Sequence, residues 1–193
     1  MLMLLVLGCQ RQREREVTPM PSLQGKKVLM IIAHSNFRDE ELQEPKRILE
    51  QQGAKVTIAS SSVGSAKGML GATVKPDILI DQANVADYDA VIFIGGTGAS
   101  EYWDNPKAHD IARTTLEANK ILGAICIAPV TLARAGVLDE KRATVFGSER
   151  SKLEAAGCNY TGKDVEIDGN IITGNGPGAA RKFGEAIAKA LAQ

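Results

Sequence analysis

The chain has 193 residues, with 23 basic and 23 acidic side chains, a formal net charge of zero, and 44% hydrophobic and 4% aromatic content. This is the profile of a globular chain with one sizeable core; it excludes a general pull toward nucleic-acid phosphates, a largely disordered chain and a collagen-like or heptad architecture. Its 3 cysteines (Cys9, Cys126, Cys158) and 2 histidines (His34, His109) are too few and too scattered for a disulfide scaffold, a Cys-x-x-Cys zinc site or a His-rich metal centre.

Residues 1–25 read as an apolar segment and a polar tether, ahead of a single α/β domain over 26–193. Met1 to Leu7 is almost purely apolar and ends in Gly8-Cys9; Gln10 to Glu16 and then Thr18-Pro19-Met20-Pro21-Ser22 have a composition that cannot form a core. Val6-Leu7-Gly8-Cys9 resembles a bacterial lipobox, in which Cys9 would be lipidated and would hold the domain on a membrane surface. Against this, no Lys or Arg precedes the apolar run, as the n-region of a secretory signal requires. Two readings follow: an envelope lipoprotein if Cys9 is lipidated, or a cytoplasmic protein if Met1 is the unprocessed start.

From Lys26 onward, apolar runs of strand length alternate with segments of helical period, the signature of a parallel sheet covered by helices on both faces. Lys27 to Ala33 is a first buried strand, Pro45 to Gln52 a helix closed by Gly53, and Lys55 to Ser60 a second strand, together one βαβ unit. Proline inside a helix removes a hydrogen bond, so the regular helix is expected to start near Pro45 or to kink there. Ser61 to Gln82 is rich in Gly and Ser and carries two short strand-like pieces, a small hairpin excursion. Ala90 to Ile94 is the next strand and runs into Gly95-Gly96-Thr97-Gly98. Pro106 to Asn119 is a helix with proline in its first turn and Ala108, Ile111, Ala112 and Leu116 at helical spacing. Ile121 to Ile125 is a fourth strand, followed directly by Cys126 and a helix reaching Ala135 and Gly136. Strand-like runs follow at Ala143 to Val145, Val165 to Ile167 and Ile171 to Thr173, the last two joined by the hairpin signal Asp168-Gly169-Asn170. Gly176-Pro177-Gly178 opens a final helix that ends at Leu191.

In open parallel sheets ligands sit beyond the carboxyl ends of the strands, near the point where strand order reverses. With the common order 2-1-3-4, three tips become neighbours: His34 and Phe37-Arg38-Asp39-Glu40-Glu41-Leu42 after the first strand, Gly95-Gly96 after the third, and Cys126 after the fourth. Alone, a Cys between Ile residues reads as a small buried hydrophobe. At a strand-to-helix junction it reads instead as an elbow nucleophile, whose thiolate the free N–H groups of a helix start would favour. Gly95-Gly96 lets backbone N–H groups approach a developing oxyanion, and the Ile127 N–H follows the candidate nucleophile as such holes require.

Glu41 beside that cysteine helps only when protonated, because an ionised carboxylate repels a thiolate; partial burial would raise its pKa into the range of a general acid or base. Its alternative is a surface carboxylate that complements the first helix's dipole, which is the main reading for Asp39, Glu40 and Glu44. His34 and Tyr102 are minor candidates for the pocket, with Thr97 beside the glycine turn; Tyr102 and Trp103 would either wall the pocket or pack a loop. His109 is expected on an outer helix face or at a subunit contact, and Cys158 looks incidental.

These motifs, with Ala124-Ile125-Cys126-Ile127-Ala128-Pro129 at the elbow and Pro45 after the first motif, resemble the ThiJ/PfpI family of the class I glutamine amidotransferase-like superfamily. The resemblance spans Lys26 to about Leu191. It implies a flavodoxin-like doubly wound fold, Cys126 as the elbow cysteine, Glu41 as the acid beside it, and Gly96 with Ile127 as oxyanion donors. It also implies a homodimer or higher oligomer, and an activity on small α-oxoaldehydes (glyoxalase or deglycase type), a peptidase-like activity, or a redox-sensing or chaperone role. The chemistry on small carbonyls calls for no metal or organic cofactor. Two departures matter: peptidase-like members have a His directly after the elbow Cys, where this chain has Ile127, and other members have a His after the following strand, where it has Phe146-Gly147-Ser148. A peptide-cleaving dyad would lack its base and proton donor.

Overall fold

The computed structural model describes residues 22–193. The lipobox-like segment and its Cys9 lie outside the described residues. In chain order the elements are β1 (Lys27–Ile31), β2 (Ser35–Phe37), α1 (Asp39–Gln51), β3 (Lys55–Ser60), β4 (Ala66–Gly68), β5 (Thr73–Val74), β6 (Ile78–Leu79), β7 (Ala90–Phe93), α2 (Pro106–Glu117) and β8 (Ile121–Ile125). There follow α3 (Pro129–Arg134), β9 (Arg142–Ala143), α4 (Arg150–Ala155), β10 (Asn159–Tyr160), β11 (Val165–Asp168), β12 (Ile171–Gly174) and α5 (Ala180–Leu191).

Seven strands form one sheet in the order β11-β12-β8-β7-β1-β3-β6, parallel throughout except for the antiparallel β11–β12 pair. The four long strands thus stand in the expected order, with the switch point between β1 and β7. Side chains alternate between the faces of each strand. Val28, Met30 and Ile32 face a layer built from Leu42, Ile48 and Leu49 of α1 and Phe183, Ile187 and Leu191 of α5. Leu29 and Ile31 face the opposite layer, with Ala108, Ile111 and Ala112 of α2 and Val130, Leu132 and Ala133 of α3. Both faces are covered, which is why these strands read as unbroken apolar runs.

The hairpin signal at Asp168 is met by a tight turn in which Asp168 pairs with Ile171 across β11 and β12, with Gly169 at φ +57°. The expected excursion is the β4–β5 hairpin, which joins β2 in a separate small sheet. Three readings are corrected. The first helix begins at Asp39, so Pro45 lies inside it. Its first turn carries Asp39, Glu40 and Glu41, which suit a helix's positive end, and the Arg38 N–H donates to the Gly95 carbonyl at 2.9 Å, fixing that turn at the strand tip. The helix after Cys126 starts only at Pro129, because the residues between form the elbow itself. The strand-like run at Ala143 is shorter than expected, Arg142–Ala143, and pairs with β10 outside the main sheet; α4 was not legible in its short, polar sequence. Among the described residues, no helix is long and apolar enough to cross a membrane.

Candidate active site

The elbow is a backbone feature first. Cys126 has φ +63°, a left-handed conformation that costs a non-glycine residue energy and persists only where the surroundings enforce it. They do so from both sides: the Cys126 N–H donates to the Gly174 carbonyl at 2.9 Å, and the Cys126 carbonyl accepts from the Phe146 N–H at 2.8 Å. The turn closes through Ala128 N–H to the Ile125 carbonyl at 3.1 Å. The thiol thereby stands at the tip of β8, and its residue is 8% exposed.

Gly95 explains how a carboxylate reaches it. A Cβ at this position would lie 2.5 Å from Cys126 Cβ and 2.5 Å from Glu41 Oε2, so thiol and carboxyl flank the same point and only glycine fits between them. Gly96 has φ +97°, and a Cβ there would meet the Arg38 nitrogen at 2.4 Å. The glycine pair is therefore required by close approach as well as by turn geometry. The backbone N–H groups of Gly96 and Ile127 both favour the charged form of the Cys126 sulfur.

Glu41 is fully buried, and neither carboxyl oxygen has a hydrogen-bond partner in good geometry. Burial pushes its pKa up to about 7, against weaker opposing effects from the nearby Cys126 thiol, the Arg38 cation and the Gly95 backbone. Burial also pushes the Cys126 thiol up, to about 12, with the Glu41 charge adding to the rise and the Gly96 and Ile127 N–H groups lowering it. In so dry a pocket the charged form of each group is disfavoured by burial, and a charge on either one opposes a charge on the other. A thiol and a carboxyl held this close can exchange a proton, an arrangement in which a carboxylate takes the thiol proton as the sulfur attacks.

Of the minor candidates, Thr97 is exposed at the start of the loop and His34 is half-buried at the β1 tip, where its N–H donates to Glu101 at 3.3 Å. Tyr102 is core instead of pocket wall: it is 2% exposed and its hydroxyl donates to the Ile32 carbonyl at 2.9 Å. Trp103, by contrast, touches the elbow. Its indole N–H donates to the Ile127 carbonyl at 3.2 Å, and the cations of Arg134 and Lys152 stand over its ring at 5.3 and 5.1 Å. His109 holds the Trp103 carbonyl at 2.7 Å. Nothing in spacing or composition marks Trp103 for this contact; it arises from the tertiary packing of the loop on α3.

Asp39, read as a surface carboxylate, is 5% exposed and accepts from the N–H groups of Leu70 and Ala72 at 2.9 and 2.7 Å. Burial works to raise its pKa, but these donors outweigh it and hold the carboxyl below its ordinary value. Cys158 is buried away from the site with its thiol directed at the Lys141 carbonyl, and burial pushes it up to about 11. Among the described residues no cluster of His, Cys, Asp or Glu is arranged to hold a metal. A depression of about 470 Å³ lined by Lys26, Asp89, Lys120 and Gln193 lies at the amino ends of the strands and contains neither Cys126, Glu41 nor the glycine pair.

A doubly wound sheet with a strained elbow cysteine, a buried acid and a glycine turn beyond its carboxyl edge defines a flavodoxin-like protein of the ThiJ/PfpI type. Comparison with known sequences agrees: residues 26–190 match the DJ-1/PfpI family, and the chain belongs to it. Among its relatives, an uncharacterized protein of Methanocaldococcus jannaschii is 41% identical over 173 residues, 88% of this chain and 84% of that protein. Deglycase PfpI of Pyrococcus furiosus is 32% identical over 150 residues (78% and 90%), and the glutathione-independent glyoxalase DJR-1.2 of Caenorhabditis elegans is 28% identical over 166 residues (86% and 89%). Of solved structures, a ThiJ/PfpI domain protein from Brachyspira murdochii superposes with a TM-score of 0.84 at 32% identity, covering 86% of this chain and 98% of that one.

Proposed function

We propose that the protein is an enzyme acting on small reactive carbonyls, of glyoxalase or deglycase type, with Cys126 as nucleophile and Glu41 as acid–base. The observation that carries this reading is the approach of Glu41 and Cys126 across Gly95. The names of the relatives agree in chemical class.

With methylglyoxal as the example, Glu41 takes the thiol proton while the sulfur adds to the aldehyde carbon, giving a hemithioacetal once the new oxyanion is protonated. Backbone N–H donors hold that oxygen while it carries charge. Glu41 then removes the proton on the former aldehyde carbon and returns one to the neighbouring carbon, while the hydroxyl proton of the adduct passes to the neighbouring carbonyl oxygen, which converts the adduct into a thioester of the 2-hydroxy acid. Water hydrolyses the thioester, releases lactate and restores the thiol, so the sum is one methylglyoxal and one water to one lactate. A peptidase role is less well supported, because Ile127 and Phe146 offer no base beside the sulfur. A redox-sensing role of the same thiol is the second reading, and oxygen uptake at Cys126 in a peroxide titration followed by intact mass tells it from the first.

Cys126→Ser and Glu41→Gln are each expected to lower lactate formation from methylglyoxal by at least about a hundredfold, the scale of a lost nucleophile or acid–base group. Wild-type turnover by the serine variant would reject the mechanism.

A further inference from the structure

Five large apolar side chains among the described residues are notably exposed, and one of them, that of Phe146 at 45%, belongs to a residue whose backbone is bonded to that of the nucleophile. Its N–H donates to the Cys126 carbonyl at 2.8 Å, so the ring is carried by a residue bonded directly to the elbow. The ring is seated: a Cβ on Gly176 would lie 3.2 Å from Phe146 Cδ2. On the other side of Cys126 in the chain, Ile127 is only partly buried. The elbow backbone is thus joined, through its carbonyl and through the next residue, to two apolar residues whose side chains water still reaches. The neighbouring cation offers no ready counter-charge to an anionic substrate, because the Arg38 guanidinium is already held by both oxygens of Glu40 at 2.8 and 3.0 Å.

An exposed ring seated beside a reactive group gains by covering itself with an apolar part of the ligand, while a carboxylate placed there would lose hydration without a partner. We infer that Phe146 and Ile127 form an apolar lip at the mouth of the Cys126 site, and that this site prefers carbonyl compounds bearing an alkyl or aryl substituent over charged ones. The inference rests on the proposed role of Cys126 and names the substrate class for it.

The test uses the full chain and two alkylating probes, iodoacetamide and its N-phenyl analogue. Each forms an S–C bond at Cys126 as the C–I bond breaks and iodide leaves, with the thiol proton passing to Glu41 or solvent. Rates at Cys126, read by peptide mass and divided by each reagent's rate with a small free thiol, should favour the phenyl reagent roughly five- to tenfold. Phe146→Ala should reduce that preference to below about twofold and Phe146→Leu should keep most of it, the ring's apolar contact being what is lost or retained. Absence of any preference in the wild type, or an undiminished preference in Phe146→Ala, would overturn the lip. If Cys126 reacts with neither probe, the proposed function itself fails, and the two failures are told apart by that outcome.

Discussion

Two acids share one dry space at the tip of β8, and only one of them can carry charge at a time. With Glu41 titrating near 7 and the Cys126 thiol pushed well above it, activity should rise along a single limb with an apparent pKa of about 7 as the carboxylate base appears. Glu41→Gln should remove that limb in a pH series of Cys126 alkylation. Stability carries the opposite sign. The folded-state pKa of Glu41 lies above its ordinary value of 4.5, so its contribution is fully present below about 4.5 and is lost as pH rises through about 7. The loss amounts to at most about 3 kcal/mol, and the Glu41→Gln protein should show a flatter stability curve between pH 5 and 8 in urea titrations. An unchanged slope in that variant would mean Glu41 is hydrated in solution.

At the scale of elements, α1 does two jobs with one turn. Its first residues bring Glu41 to the site, while Asp39, two residues earlier, receives the hairpin tip through Leu70 and Ala72. Asp39→Asn should weaken both acceptor bonds and speed hydrogen exchange at those two amides, costing about 1–3 kcal/mol of local stability. Exchange no faster than wild type would show that the hairpin is held by other contacts. The far part of α1 crosses α5, where a Cβ on Gly184 would lie 2.8 Å from Pro45 Cα. Gly184→Ala must therefore push the helices apart, and is expected to lower stability by about 1–3 kcal/mol despite alanine's better helix propensity. An unaltered or raised melting temperature would contradict that tight crossing. The same crossing gives Pro45 a place inside the helix: it is buried against α5, and tertiary packing outweighs the missing hydrogen bond.

Across the whole molecule, what could be read from the chain was the part set by local pattern. Strands buried on both faces announce themselves as apolar runs, and Gly95-Gly96, the Cys126 junction and the Asp168-Gly169-Asn170 turn are short signals with fixed backbone consequences. The strand order followed from the common topology of such sheets. Features that depend on meetings between distant segments stayed hidden: the burial of Asp39 under the hairpin, the indole of Trp103 on the Ile127 carbonyl, and the complete burial of Glu41. No periodicity encodes them, since each is decided by how much water the finished packing excludes.

The parallel sheet also gives the molecule two unlike ends. Cys126 and Glu41 lie beyond the carboxyl ends of the strands, whereas Ser22 leads into β1 at its amino end, beside Lys26 and Asp89. A resin coupled to Lys26 would occupy the blunt end and leave the reacting face turned outward, free to meet solutes diffusing from the bulk.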